Sequence, residues 1–178
     1  MALPHQGLLA PARSGGITRL APRFAGASVG LSALDLDHRI LHVALGILEN
    51  EISYAARGET LGRTIGFLIH FTDEHFGREE RLMEEICFDG LAAHKQSHDI
   101  MRAWMEASLP EIGERRNAHY DDDALAYLYD WWEEHSIRED KGYADFIFHR
   151  LDEAKRIVDS LPRADLPSFL ASSAISGF

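Results

Sequence analysis

The 178-residue chain carries 29 Asp and Glu against 18 Lys and Arg, a formal net charge of -11. That balance, with no basic stripe, speaks against a nucleic-acid partner, and no apolar run reaches the roughly 18 residues that a membrane-spanning helix needs. Cys87 is the single cysteine, which excludes a disulfide framework, a CxxC redox pair and a cysteine-rich zinc site and fits a reducing, cytoplasmic setting.

Residues 1–34 contain no Asp or Glu, three Arg (Arg13, Arg19, Arg23) and eight Gly or Pro. Pro11 interrupts the only short apolar stretch there, so a secretory signal is not supplied, and residues 1–23 read as an irregular arm. The first helix is expected from near Leu36, with Asp35 accepting hydrogen bonds from its first turn. Leu36, Ile40, Val43 and Ile47, with Leu41, Leu45 and Leu48 alongside, form an apolar stripe at helical period, and Gly58 ends it. The second helix is expected from about Thr60 to Ile86, through Phe67, Phe71, His75, Glu79, Leu82 and Met83. Gly62 and Gly66 weaken it by about 1 kcal/mol each relative to Ala, so burial must hold it. Gly90 is then expected to terminate this helix, with Asp89 in the turn.

A third helix is predicted from Leu91 to Ser108, stopped by Pro110, and residues 111–120 read as a polar connection. Asp121, Asp122 and Asp123 crowd the start of the fourth, where carboxylates meet the positive end of the helix dipole. It continues through Leu125, Leu128, Trp132 and His135 to Asp140, Phe146 and Val158. Pro162 and Pro167 mark a C-terminal extension over residues 161–178. Four long helices with no strand pattern predict an all-α fold, an antiparallel up-down-up-down four-helix bundle over residues 24–160.

Residues four apart on a helix point the same way, about 40° apart. His75 with Glu79, and His94 with His98, therefore each present two metal-capable groups on one face. A histidine on a helix is ordinarily a surface or satisfied core residue; the weight here comes from the combination. Adding His38, His135 and Asp140 gives five imidazoles and two carboxylates, more than one tetrahedral zinc can use, so the set points to two metals. Ligand type alone leaves iron, zinc and manganese open. No histidine has a glutamate three residues before it, which disfavours a ferritin-like site, and HExxH is absent, which excludes that class of zinc protease. His135 and Asp140 are five apart, about 140° around a regular helix. A local π-type widening would help them converge; by regular geometry Glu139 is the better-aligned partner.

The segments SVGLSALDLDH ending at His38, HFGREERLM with His75 and Glu79, HKQSH with His94 and His98, and WWEEHSIREDKGY with His135 and Asp140 together resemble the bacterial hemerythrins, over about residues 24–150. The resemblance implies that His94, His98 and His135 hold one non-haem iron and His38 and His75 another. Glu79 and Asp140 would bridge them with an oxo or hydroxo group, leaving an open position beside His38 and His75 for O2. It favours Asp140 over Glu139. The implied function is reversible O2 binding for storage, delivery or sensing, not an enzyme; a sensor would need a protein partner. The alternative is a di-iron enzyme acting on nitric oxide or peroxide, or repairing damaged iron centres. Departures from the family pattern are His42, one turn from His38, open to a hydrogen-bonding role behind the site, an extra ligand or, as favoured, a surface histidine, and Ser136, which stands where isoleucine is usual and could make the pocket wetter. Phe71 and Trp131, one turn before His75 and His135, are candidates to seal the site. His70, His119 and His149 are read as surface residues.

Overall fold

The computed structural model describes residues 28–54, 58–113, 118–163, 166–167 and 170. Helix α1 runs Ser32–Ser53, α2 Glu59–Glu85 and α3 Leu91–Ser108, followed by a short 3-10 turn at Leu109–Glu111. Helix α4 runs Ala118–Glu134 and passes through a π-helical segment, His135–Glu139, into α5, Asp140–Ile147. A 3-10 turn at Phe148–Arg150 leads to α6, Leu151–Ser160. The fold is an all-helical four-helix bundle: α1 packs on α2, α2 on α3, α4 on α1, and α6 closes against α1 and α2. Among the described residues, no helix is long and apolar enough to cross a membrane. The predicted arm, residues 1–23, lies outside the described residues.

Helix ends depart from the sequence expectation where tertiary contacts intervene. Helix α1 starts at Ser32, because the first turn is drawn into the core through Leu34 and Ala33. Asp35 does not cap that turn; its carboxylate accepts the Val29 N–H and the Ser28 hydroxyl, both at 2.8 Å, and so anchors the chain that enters the helix. Helix α1 ends at Ser53, and Gly58, with φ 67°, precedes α2 instead of ending α1.

The α2 to α3 turn is closed by Cys87, not by Gly90. Cys87 takes φ 56°; its N–H donates to the Glu84 carbonyl at 3.1 Å and that of Phe88 to Met83 at 2.9 Å. This is the left-handed helix ending usually given to glycine. Gly90 has a different task. A Cβ there would lie 2.5 Å from the Phe88 ring, so only glycine lets that ring cover the turn.

At the other end, α4 begins three residues before the Asp run. Asp121 is buried and accepts the Gly113 N–H at 3.0 Å, while Asp122 and Asp123 remain exposed.

The core is split in two. One apolar cluster contains Leu41, Leu45, Leu68, Phe71, Phe76, Met101, Leu128 and Trp132; the other contains Leu34, Leu82, Met83, Tyr143, Ile147 and Val158. Along every long helix a polar layer falls between the two, at His38, His75 to Glu79, His94 to His98, and His135 to Asp140. Each fully buried Leu or Phe contributes about 1.5–3 kcal/mol, and two such plugs offset the desolvation of the layer between them.

Candidate metal centre

Each of the four rods of the bundle supplies part of that layer. His38 comes from α1, His75 and Glu79 from α2, His94 and His98 from α3, His135 from the π segment and Asp140 from the start of α5. All seven are 6 % exposed or less. The π segment brings the last two together: the Asp140 N–H bonds to the His135 carbonyl, five residues back, and this wider turn swings both side chains inward.

The inward atoms are the Nε2 nitrogens and the carboxylate oxygens. Asp140 Oδ1 lies 3.1 Å from His135 and 3.4 Å from His94, and Oδ2 lies 3.2 Å from His38. Glu79 Oε2 is 3.4 Å from His98, 3.5 Å from His75, 3.7 Å from His94 and 3.8 Å from His135. The nitrogens of His98 and His135 are 3.0 Å apart. Ligands on a metal at bonds of about 2.1 Å and right angles are separated by about 3 Å, so these spacings suit a shared cation. The atoms fall into two groups, Glu79 with His94, His98 and His135, and Glu79 with His38 and His75. Glu79 belongs to both. Glu79 Oε2, both Asp140 oxygens and the Nε2 atoms of His75 and His94 are buried and make no hydrogen bond among the described residues. Buried polar atoms left in that condition are costly, and a cation removes the cost.

Charged groups outside the layer fix which ring nitrogen faces in. The Nδ1–H of His98 donates to Glu80 at 3.0 Å and that of His135 to Glu139 at 2.9 Å. Burial opposes ionisation of Glu80, yet His98, Lys95 and Arg102 hold its carboxyl at about 2; the His135 contact, against burial, likewise holds Glu139 at about 2. Ionised carboxylates only accept, so both Nδ1 atoms carry hydrogen and both Nε2 lone pairs face each other. That face-off needs a positive charge. Tyr143 is fully buried; burial, then Glu79 and Asp140, raise its pKa, so the phenol keeps its proton and donates to Glu79 Oε1 at 2.6 Å.

In the metal-free protein a proton stands in for the cation. Burial disfavours charge on His135, but Asp140, Glu139 and Glu79 push its pKa up to about 10, from 6.5. A raised pKa contributes stability below the unfolded value of 6.5 that is lost as pH rises through about 10. The metal-free protein is therefore expected to lose stability between those pH values, and the metal-loaded protein to lack that slope. Denaturant midpoints measured with and without metal across the range test this; parallel slopes would show that no cation replaces the proton.

Aromatic rings wall the layer. Phe76 stacks on His98 at 3.8 Å and 6°, Trp131 on His135 at 4.4 Å and 14°, and Trp132 approaches His75 at 5.7 Å and His38 at 6.5 Å. Trp131 thus lies where the sequence suggested. Phe71 instead stacks on Phe67, with the Arg78 guanidinium 5.6 Å from its ring. Ser136 is buried and its hydroxyl donates to the Trp132 carbonyl at 2.6 Å. His42 is half-buried, not a surface residue; burial lowers its pKa, and it stands outside both converging groups. His70, His119 and His149 are exposed.

Sequence reasoning missed Asp37, Glu80, Tyr143, Phe76 and Trp132 as parts of the site. A signal was present for the two carboxylates: each is the chain neighbour of a proposed ligand. A neighbour on a helix points about 100° away, toward the next helix, and there Asp37 meets His75 and Glu80 meets His98.

The family model of the Hemerythrin HHE cation binding domain matches residues 29–147. The chain is similar to three proteins named bacteriohemerythrin. That of Stenotrophomonas maltophilia is 26% identical over 137 residues, covering 72% of this chain and 82% of the relative. That of Pseudomonas paraeruginosa is 25% identical over 128 residues, 71% and 80% of the two chains, and that of Clostridium acetobutylicum 26% over 122 residues, 66% and 93%. No solved structure matches the chain at a comparable level.

Proposed function

The chain belongs to the hemerythrin family of HHE cation-binding domains, and from that premise we propose that it binds O2 reversibly at a non-haem di-iron centre, as a carrier, store or sensor in the cytoplasm. His94, His98 and His135 would hold one iron and His38 and His75 the other, with Glu79 and Asp140 shared between them. The observation that carries the reading is the sharing of Glu79 between two buried groups of imidazoles. A nitrogen-rich, sulfur-free set suits iron, and the relatives named bacteriohemerythrin support it over zinc or manganese.

When bound, an iron pair would supply the redox chemistry of reversible O2 binding. The chain's own part is confinement. Glu80 and Glu139 orient His98 and His135. Tyr143 keeps its proton on Oη and aims it at Glu79. Phe76, Trp131 and Trp132 keep water from the imidazoles. With the Tyr143 proton engaged by Glu79, these groups would offer O2 no free acid, which favours reversible binding over reduction.

Metal analysis of protein reconstituted with ferrous iron is expected to give two irons per chain. Exposure to O2 should then produce a visible charge-transfer band that disappears under vacuum. One zinc per chain with no iron uptake would overturn the di-iron reading. Catalytic turnover of nitric oxide or peroxide, without a reversible oxygen adduct, would replace the carrier by an enzyme.

A further inference from the structure

The segment after α6 turns back over the start of α1. There Arg163 Nη2 donates to the Ala33 carbonyl at 3.1 Å and to Asp37 Oδ1 at 2.8 Å. Asp37 is buried, and its other oxygen, Oδ2, accepts from Arg78 Nε at 2.8 Å and lies 2.8 Å from Arg78 Nη2 in an ion pair. That same Oδ2 lies 3.6 Å from Nδ1 of His75, on the side of the ring away from Glu79. Further along the segment, Leu170 is buried in the larger apolar cluster, so the chain is fastened on both sides of this contact.

Two guanidiniums on one carboxylate do different things. Arg78 alone balances the charge of Asp37, but it grips one oxygen and leaves the group able to turn about its Cβ–Cγ bond. Arg163 holds the second oxygen and fixes the carboxylate plane. Groups that orient a metal-binding imidazole from behind are worth about 10- to 100-fold in metal affinity. His98 and His135 are braced from inside the bundle: Lys95 and Arg102, both on α3, hold Glu80 behind His98, and Glu139 backs His135. Of these three imidazoles, His75 is the one whose supporting carboxylate is held by a residue beyond the last helix.

We propose that Arg163 is a positioning residue for the metal held by His38 and His75, so that the segment after α6 governs retention of one metal of the pair and not the other. This rests on the di-iron reading above. Because Arg163 is 39% exposed, its replacement does not open the core.

The test uses the full chain loaded anaerobically with ferrous iron and challenged with a ferrous chelator, comparing the parent, Arg163→Gln and Arg163→Lys. For Arg163→Gln one iron should leave about 10- to 100-fold faster than in the parent and the second at the parent rate, with Arg163→Lys intermediate. The unfolding midpoint of the metal-free variant should stay near that of the parent. Both irons leaving faster together, with a lowered midpoint, would make Arg163 merely structural and overturn the proposal; so would release of both at the parent rate. A parent that binds fewer than two irons would instead remove the di-iron reading beneath it.

Discussion

Glu79→Ala is expected to lose both metals at once, whereas His38→Ala should lose only one. Among the described residues Glu79 is the one shared by both converging groups, and its Oε2 lies 3.4–3.8 Å from four of the five imidazole nitrogens. Removing it deletes a ligand from each metal and leaves the remaining nitrogens facing one another. A second cost follows from Tyr143, whose buried hydroxyl donates to Glu79 Oε1. Left without an acceptor, that hydroxyl should cost about 1–3 kcal/mol. The double variant Glu79→Ala with Tyr143→Phe separates the two effects: it should regain much of the lost stability in the metal-free protein and still bind no iron. Iron analysis after reconstitution and denaturant midpoints of the metal-free chains give both readings. One iron retained by Glu79→Ala would show that the carboxylate serves a single metal.

The parts legible in the sequence were those set by local spacing. The pairs His75 with Glu79 and His94 with His98 are four apart, and any regular helix puts such pairs on one face. The span of α3 was legible because Pro110 lies just past Ser108 and a turn precedes Leu91. His135 and Asp140 exposed a conflict with regular geometry, and the chain resolves it by widening into a π turn. Glu139, the better-aligned residue on a regular helix, uses that alignment on the outer nitrogen of His135 instead.

What escaped was set by distant contacts. Asp37 and Arg163 are 126 residues apart, and no local pattern joins them. Helix α1 gained a turn because burial of Leu34 outweighed the cap suggested by Asp35. Cys87 took the left-handed position because the glycine nearby was needed three residues later, under Phe88.

Phe76 shows how packing and site chemistry meet in one ring, and its replacement should be strongly destabilising. The ring is fully buried, stacked on His98 and 5.6–5.7 Å from Trp131, Trp132 and His135, with the Arg102 guanidinium 5.2 Å away. Phe76→Ala should cost about 3–5 kcal/mol, a large part of the roughly 5–15 kcal/mol by which such domains are stable. Phe76→Leu restores most of the volume, and its cost should fall below about 1.5 kcal/mol. The leucine has no flat face to lie on His98, so water gains the edge of that imidazole. If Phe76 also seals the site, Phe76→Leu should remain nearly as stable as the parent while its reduced, oxygen-exposed form oxidises irreversibly faster. Stability is read from denaturant midpoints of the metal-free protein, and oxidation from the decay of the oxygen-dependent absorption band. A leucine variant that oxidises at the parent rate would leave Phe76 with a packing role alone and shift the sealing role to Trp131 and Trp132.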